Sequence, residues 1–520
     1  MTLRAGTDAT LGGIAATQTG DLAVSAAGKL TTMADGRLQS GAALDLSAGG
    51  ALGNAGIASA AGRASLKAGT TLDNTGSVLA GGDLIATATG QLANAGQFVA
   101  GVDADGALNL PGSLTLTAGA IVHPGASLAG NALSVSADSL DLAGGKLSAV
   151  AKVVLSTPGD VDSRNAVVQG NTVDVTAANL RNHGGDLAAT RDAAIKLDGN
   201  LDNTGGRITA EGDARIEAAA IVNRHGTLAG RDLTITATAA PAPTDAVDNR
   251  EGLILADNAL TLRAASLDNS GTLTAAGDPP RGVLAKVLDI LADHVGNQTG
   301  SMRAREDLTL TTQDLDNTGG EIASQGNARI LADRLDNTGG DLLADKRLTV
   351  ATQVLQGLGT LQSAGDLSFQ YAGSLNQEGD IASGRDLALS VGGDMDNRAR
   401  VSAARDLTIT ADALNNQASG ELLAGGANAI TVARGLTNAG LIDGGSTRIT
   451  ADRVENTGRI SVSYTHLRPG PGPPAHGARA EPSPAARLAT CARKTEARPK
   501  PVRGLGAARA TAYRRAGLPR

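Results

Sequence analysis

Apolar and polar residues alternate in short bursts along this chain, and the bursts return at a fixed interval. In Arg231-Asp232-Leu233-Thr234-Ile235-Thr236-Ala237 and Arg405-Asp406-Leu407-Thr408-Ile409-Thr410-Ala411, Leu and Ile fall on one side of a two-residue period and Thr on the other. That is the signature of a strand with one buried face. A shorter apolar segment, such as Glu321-Ile322-Ala323-Ser324 or Asp341-Leu342-Leu343-Ala344, precedes the long burst in each period. Between periods stands the phrase Leu-Asp-Asn-Thr-Gly-Gly, complete at Leu201–Gly206, Leu315–Gly320 and Leu335–Gly340 and looser at Leu72–Gly76, Leu267–Gly271 and Val454–Gly458. The phrase reads as a turn, because Asx side chains bond nearby backbone and Gly accepts positive φ without steric cost. Recurrent Gly and β-branched Thr disfavour helix throughout. The pattern predicts two strands per period, or at most three, stacked coil on coil.

The asparagine of the phrase sets the register. Its slot reads Asn54, Asn74, Asn94, His123, Ala143, Arg164, Asn182, Asn203, Asn223, Asn249, Asn269, Asn297, Asn317, Asn337, Gly357, Asn376, Asn397, Asn416, Asn438 and Asn456. Most steps are about twenty residues, the spacing of a solenoid. The long steps carry insertions near 102–111, 239–248 and 278–282, which leave the downstream register intact and so bulge out as loops. The expected fold is an all-β parallel β-helix over residues 1–460. With about twenty coils roughly 4.8 Å apart it would extend on the order of 100 Å. The candidate ladder residues are the asparagines of the register other than Asn249 and Asn297. They are expected to point inward at a corner and form a column of hydrogen-bonded amides.

Composition narrows the picture further. Hydrophobic residues make up 41 % of the 520, yet aromatics are only 1 %, with no Trp, so a thin aliphatic ribbon can be buried but not a bulky globular core. The single cysteine, Cys491, lies outside the repeats and excludes a disulfide framework. No run of 18 apolar residues appears, and no secretory signal opens the chain. Charge is split. Residues 1–460 hold 33 Lys+Arg against 50 Asp+Glu, a net of −17, whereas 461–520 hold 12 against 2, a net of +10. An acidic body repels nucleic acid and anionic lipid. Nine of the sixteen prolines fall in 461–520, so that stretch is expected to be a disordered tail. Its abrupt change of composition reads as a frame or splice artefact rather than as a basic arm or a cell-wall linker.

Candidate chemistry is sparse. The histidines His123, His183, His225, His294, His466 and His476 are not spaced as metal pairs, and no cysteine supports them. His123 occupies the asparagine slot, and His183 and His225 follow it closely. The Asp before each Asn does not match the nine-residue calcium β-roll pattern, and structural turns are the reading adopted. A polysaccharide-active enzyme on a β-helix needs a carboxylate cluster with basic and aromatic neighbours, and no coil carries one. A leucine-rich repeat needs a spacing that Leu407–Asn416 lacks. No catalytic residue, cofactor or metal is assigned. Ligand contacts, where any exist, are expected in the three insertions.

The Leu-Asp-Asn-Thr-Gly-Gly phrases and the Arg-Asp-Leu-Thr-Ile-Thr strands, over roughly residues 11–460, resemble the haemagglutinin-repeat region of filamentous haemagglutinins. These are large secreted exoproteins of Gram-negative two-partner secretion, a class that includes contact-dependent growth-inhibition toxins. The resemblance implies a right-handed β-helix, export through an outer-membrane two-partner-secretion transporter, and display on the cell surface. It also implies a virulence-type adhesin that touches a host or bacterial receptor or glycan; the alternative is an inert stick presenting a growth-inhibition toxin. The family's secretion domain and toxin domain are not visible. Val454-Glu455-Asn456-Thr457 is similar to the toxin boundary motif Val-Glu-Asn-Asn, but it sits in register as one more coil. The chain reads as an internal fragment of a longer protein.

Overall fold

The computed structural model describes residues 1–238, 246–275 and 277–462. Among these the fold is all-β, without a helix, and is a parallel β-solenoid. Each strand pairs in parallel with the equivalent strand one coil along. Leu44–Ala48, Leu52–Asn54 and Ile57–Ala60 form one coil, and Ala64–Ala68, Leu72–Asn74 and Ser77–Ala80 lie on it as Leu44↔Ala64, Leu52↔Leu72 and Ile57↔Ser77.

Three strands per coil, not two, is the common arrangement. The extra strand is the first half of the phrase read as a turn: in Leu72–Asn74, Leu72 and Asn74 are buried while Asp73 is exposed. The backbone stays extended through the asparagine, and only Thr-Gly-Gly bends. Further along, two of the three strands fuse across a weakened corner, as in Val167–Ala177 and Asp186–Leu197.

Contacts cluster into two units, Met1–Ala323 with Ile330–Gly340, and Ser324–Arg329 with the described residues from Asp341 onward. In the first, a row of aliphatics runs through Leu22, Leu44, Ala64, Leu84, Leu114 and Leu133, each paired with the next and each fully buried or nearly so. In the second, Leu348, Leu367, Leu387 and Leu407 do the same. Each buried Leu contributes about 1.5–3 kcal/mol, so the inward rows outweigh every exposed ion pair in holding the coils together.

The Asp that opens many of the long bursts, after Gly or after Arg, has its own task. The Asp carboxylate accepts a backbone N–H from the next coil: Asp21 Oδ1 from Ala43 (3.0 Å), Asp83 Oδ1 from Ser113 (2.8 Å), Asp192 Oδ1 from Asp213 (3.0 Å), and in the second unit Asp406 Oδ1 from Ala427 (2.8 Å). These are charge-assisted bonds that close a corner donor.

Two insertions can be followed. Residues 102–111 leave after Ala100, form an antiparallel bridge between Val102 and Leu108, and return so that Leu84 still pairs with Leu114. Asp103 organises the loop, accepting N–H bonds from Ala107 (2.9 Å) and Asp105 (3.0 Å) and one from Asn109 Nδ2 (2.6 Å). The bond from Ala107, then that from Asn109, hold its carboxyl below the usual range. Around 278–282 the chain rejoins as Gly282 donates to the Gly252 carbonyl (2.8 Å) and Leu253 pairs with Gly282. Of the insertion near 239–248, residues 239–245 lie outside the described residues; Leu233 pairs with Leu260 beyond it. The strand Arg459–Val462 carries the last coil two residues past the expected boundary at 460, and the proposed tail from 463 also lies outside the described residues.

Candidate functional site

The asparagine corner is the most regular polar feature. Asn54 Nδ2 donates to Asn74 Oδ1 (2.8 Å) and Asn74 Nδ2 to Asn94 Oδ1 (2.7 Å). A second run starts at Ser163, whose Oγ donates to Asn182 Oδ1 (2.9 Å), and continues through Asn203, Asn223, Asn249, Asn269, Asn297, Asn317 and Asn337 at 2.7–2.8 Å. In the second unit Asn397, Asn416, Asn438 and Asn456 are linked at 2.7 Å. Every bond between two asparagines points the same way, from Nδ2 to the Oδ1 of the following coil. The other Nδ2 proton goes to backbone, as from Asn203 to the carbonyls of Gly206 (3.3 Å) and Thr227 (3.2 Å).

The local sequence explains the corner. Asp202 Oδ1 accepts from the Thr204 N–H (3.0 Å) and Oγ (2.6 Å), and the Gly206 N–H closes the turn onto the Asn203 carbonyl (3.0 Å). Gly205 has φ 63°, a conformation that costs other residues about 1–2 kcal/mol. Gly206 is needed for space, since a Cβ there would stand 2.1 Å from the Asn182 carbonyl oxygen. The two glycines of the phrase are there for different reasons.

The structure departs from the spacing-based register in three places. Asn376 does not join the column: it is exposed, and Gln377 points inward opposite Asn397. At two coils the inward residue is Leu142, not Ala143, and Ser163, not Arg164. In the opposite sense, Asn249 and Asn297, which the assignment omitted, are full members of the second run. The signal for all of these was the inward aliphatic two residues before the slot, at Leu140, Val161, Val247, Val295 and Leu375.

His123 ends the first run. Asn94 has its Oδ1 occupied by Asn74, so it meets His123 Nε2 with Nδ2 (3.0 Å), and Ser127 Oγ lies 2.6 Å from the same nitrogen. Nε2 is therefore the acceptor and the proton sits on Nδ1, which has no partner. Burial pushes the ring down to about 4, against a smaller opposing effect of its own backbone carbonyl. The first run ends on a neutral imidazole.

The remaining described histidines are dispersed. His225 Nδ1 lies 3.4 Å from Glu251 Oε2, His294 Nδ1 lies 2.8 Å from Asp314 Oδ2, and His183 is exposed. His466, His476 and Cys491 lie outside the described residues. Among the described residues no three His, Cys, Asp or Glu side chains converge as a metal set, and no helix is long and apolar enough to cross a membrane.

The second unit carries a shallow groove of about 480 Å³ on its outer face, lined by Asn376, Asp394, Asp396, Asn415, Arg434 and Thr437 among others. It contains one of the register residues, Asn376, on the side opposite to the column.

The family model described as Haemagglutinin repeat matches residues 2–32, 34–110, 112–165, 157–205, 202–240, 229–278, 283–352, 344–399 and 402–466. No curated protein and no solved structure matched the chain.

Proposed function

Since this chain belongs to the haemagglutinin repeat family, we propose that it is a stalk-like adhesive segment of a secreted, surface-displayed exoprotein. Repeats of this family on a β-solenoid fit an adhesin or stalk. The observation that supports the reading best is the return of one coil plan, with outward polar faces and an inward amide at most corners, over nearly all described residues. A repeat array spends its sequence on neighbour-to-neighbour stacking, which gives reach and leaves the outer faces to vary.

The same plan suits export in an extended state through an outer-membrane partner. Strands pair only with the adjacent coils, so each coil has its partner as soon as the next emerges, and little loop-closure entropy has to be overcome at any step. The family is of a structural, adhesive type, and an enzymatic role is not proposed. At Val454–Thr457, the segment similar to a toxin boundary, Asn456 accepts from Asn438 as an ordinary rung.

The test is direct binding. The purified chain should adhere saturably to epithelial cells or to Gram-negative cells, and should compete with its own labelled form. Absence of any cell binding, together with killing of neighbours by the chain's full-length parent, would replace the adhesin reading with the toxin-stick reading.

A further inference from the structure

The strands that carry the Leu-Asp-Asn phrases make up one face of the stack, and among the described residues the ladder on that face breaks at one coil. From Leu375 onward its strands, Leu375–Gln377, Met395–Asn397, Leu414–Asn416, Gly435–Asn438 and Arg453–Asn456, form a five-stranded sheet of their own. All other strands of the described residues belong to a single larger sheet. The strand Arg347–Gln356 pairs with Asp366–Tyr371 only as far as Thr352↔Tyr371, so residues 353–356 have no partner strand in the coil that follows. On the other two faces the same two coils stay joined, through Leu348↔Leu367 and Leu361↔Ile381.

The interior changes at the same place. Gly357 takes the asparagine slot with φ 60°, and Gly359 follows with φ 56°. In the next coil Gln377 Oε1 is buried without a donor. Leu355 is partly exposed, whereas Leu375, Met395 and Leu414, at the same place in the following coils, are fully buried. The corner is different too. Tyr371 pairs with Thr352 on one side and Val391 on the other, in an inward slot where Thr352, Val391, Ala411 and Val432 are buried. Its ring stays partly exposed and lies over Gly373, where a Cβ would stand 2.6 Å from Oη and 2.8 Å from Cζ.

We propose that this gap is a hinge in the stack, with Tyr371 as the wedge that keeps it open. The ring fills the corner through which Gly373 and Ser374 lead into Leu375–Gln377, and that strand therefore starts out of line with residues 353–356. Bonds between coils run along the stacking direction. Losing them on one face, while two faces stay joined, leaves a bend that opens the third. Gly357, Gly359 and Gly373 flank the gap and absorb the change in backbone angles. A region held by so few pairings opens far more often than the whole chain unfolds. A stalk with such a joint leans under sideways load and keeps its leucine rows intact. The hinge is a property of the stack and stands apart from what the segment adheres to.

Hydrogen exchange of the full chain tests it. Residues 353–359 and 372–379 should exchange at least about tenfold faster than 392–399 and 412–419, while 367–371 stay as slow as 387–391. Tyr371→Thr should slow 372–379 to the rate of 392–399, and Tyr371→Phe, which keeps the ring, should leave them fast. Slow exchange of 387–391 in both variants shows that they are folded. Spin labels in a Cys491→Ser background then read the bend. Gln356→Cys with Thr437→Cys spans the gap on the open face, and Thr349→Cys with Ala429→Cys spans the same coils on the long-strand face, each about 19 Å apart in an unbent stack. The first pair should give the wider and longer distance distribution, and Tyr371→Thr should narrow it. Equal exchange across these coils, or equal widths for the two pairs, overturns the hinge. A Tyr371→Thr variant that behaves as the parent does overturns the wedge.

Discussion

At the scale of single residues, the amide column is a directional chain whose ends are its weak points. Asn54 Oδ1 and Asn397 Oδ1 are buried acceptors without a donor, because Thr32 and Gln377 stand where the previous asparagine would be. Thr32→Asn should supply the missing donor and raise stability by about 1 kcal/mol in urea unfolding; an unchanged or lower midpoint would mean the column is not set by these bonds. In mid-run the cost is reversed. Asn317→Leu removes the bonds from Asn297 Nδ2 and to Asn337 Oδ1 and should lose roughly 2–4 kcal/mol. His123 introduces a pH dependence. Its folded pKa, about 4, lies below the ordinary 6.5, so the unfolded chain binds the proton more readily. The contribution of the neutral ring is complete above the unfolded value and declines as pH falls from about 6.5 to about 4, by roughly 3 kcal/mol in all. His123→Asn should remove that part of the acid sensitivity. Equal pH profiles for parent and variant would show that the ring is not neutral in the fold.

At the scale of the element, the coil is decided by which side of the backbone each residue takes. The alternating Leu-Thr-Ile-Thr bursts and the twenty-residue period were legible because strand periodicity and turn residues act locally. The third strand was not, since Leu-Asp-Asn carries turn-forming residue types and becomes extended only because Leu and Asn have inward partners in the coils on either side. The same cause misplaced Ala143, Arg164 and Asn376. Counting along the chain fixes a position to within one residue, and a slip of one residue reverses the facing of a side chain. The groove was not legible at all, because its residues come from successive coils between Asn376 and Thr437 and only stacking brings them together. The corner also has a cost that can be measured. Thr299, a β-branched residue, occupies the left-handed position with φ 48° that glycine fills at Gly205, Gly319 and Gly339. Thr299→Gly should stabilise by about 1 kcal/mol in thermal or denaturant unfolding; destabilisation would mean that its side chain gives back more than the strain takes.

At the scale of the whole molecule, the account is that position in the sequence maps onto position in a stack, one coil per period of about twenty residues, within each of the two units. Function as an adhesive segment depends on that mapping, because it turns sequence repeats into repeated outer faces. Distant substitutions such as Asn74→Leu and Asn223→Leu should add within about 0.5 kcal/mol, since they share no partner. The mapping itself is tested most directly by paired cysteines in a Cys491→Ser background. Ser390 pairs with Thr410, and Thr410 with Thr431, all three on the outer face. Adjacent coils place their Cα atoms about 4.8 Å apart, within disulfide reach, whereas two coils are about 9.6 Å apart and beyond it. Oxidation should close Ser390→Cys with Thr410→Cys, and Thr410→Cys with Thr431→Cys, but not Ser390→Cys with Thr431→Cys. Closure of the 390–431 pair in preference to the other two would contradict the stacked-coil account.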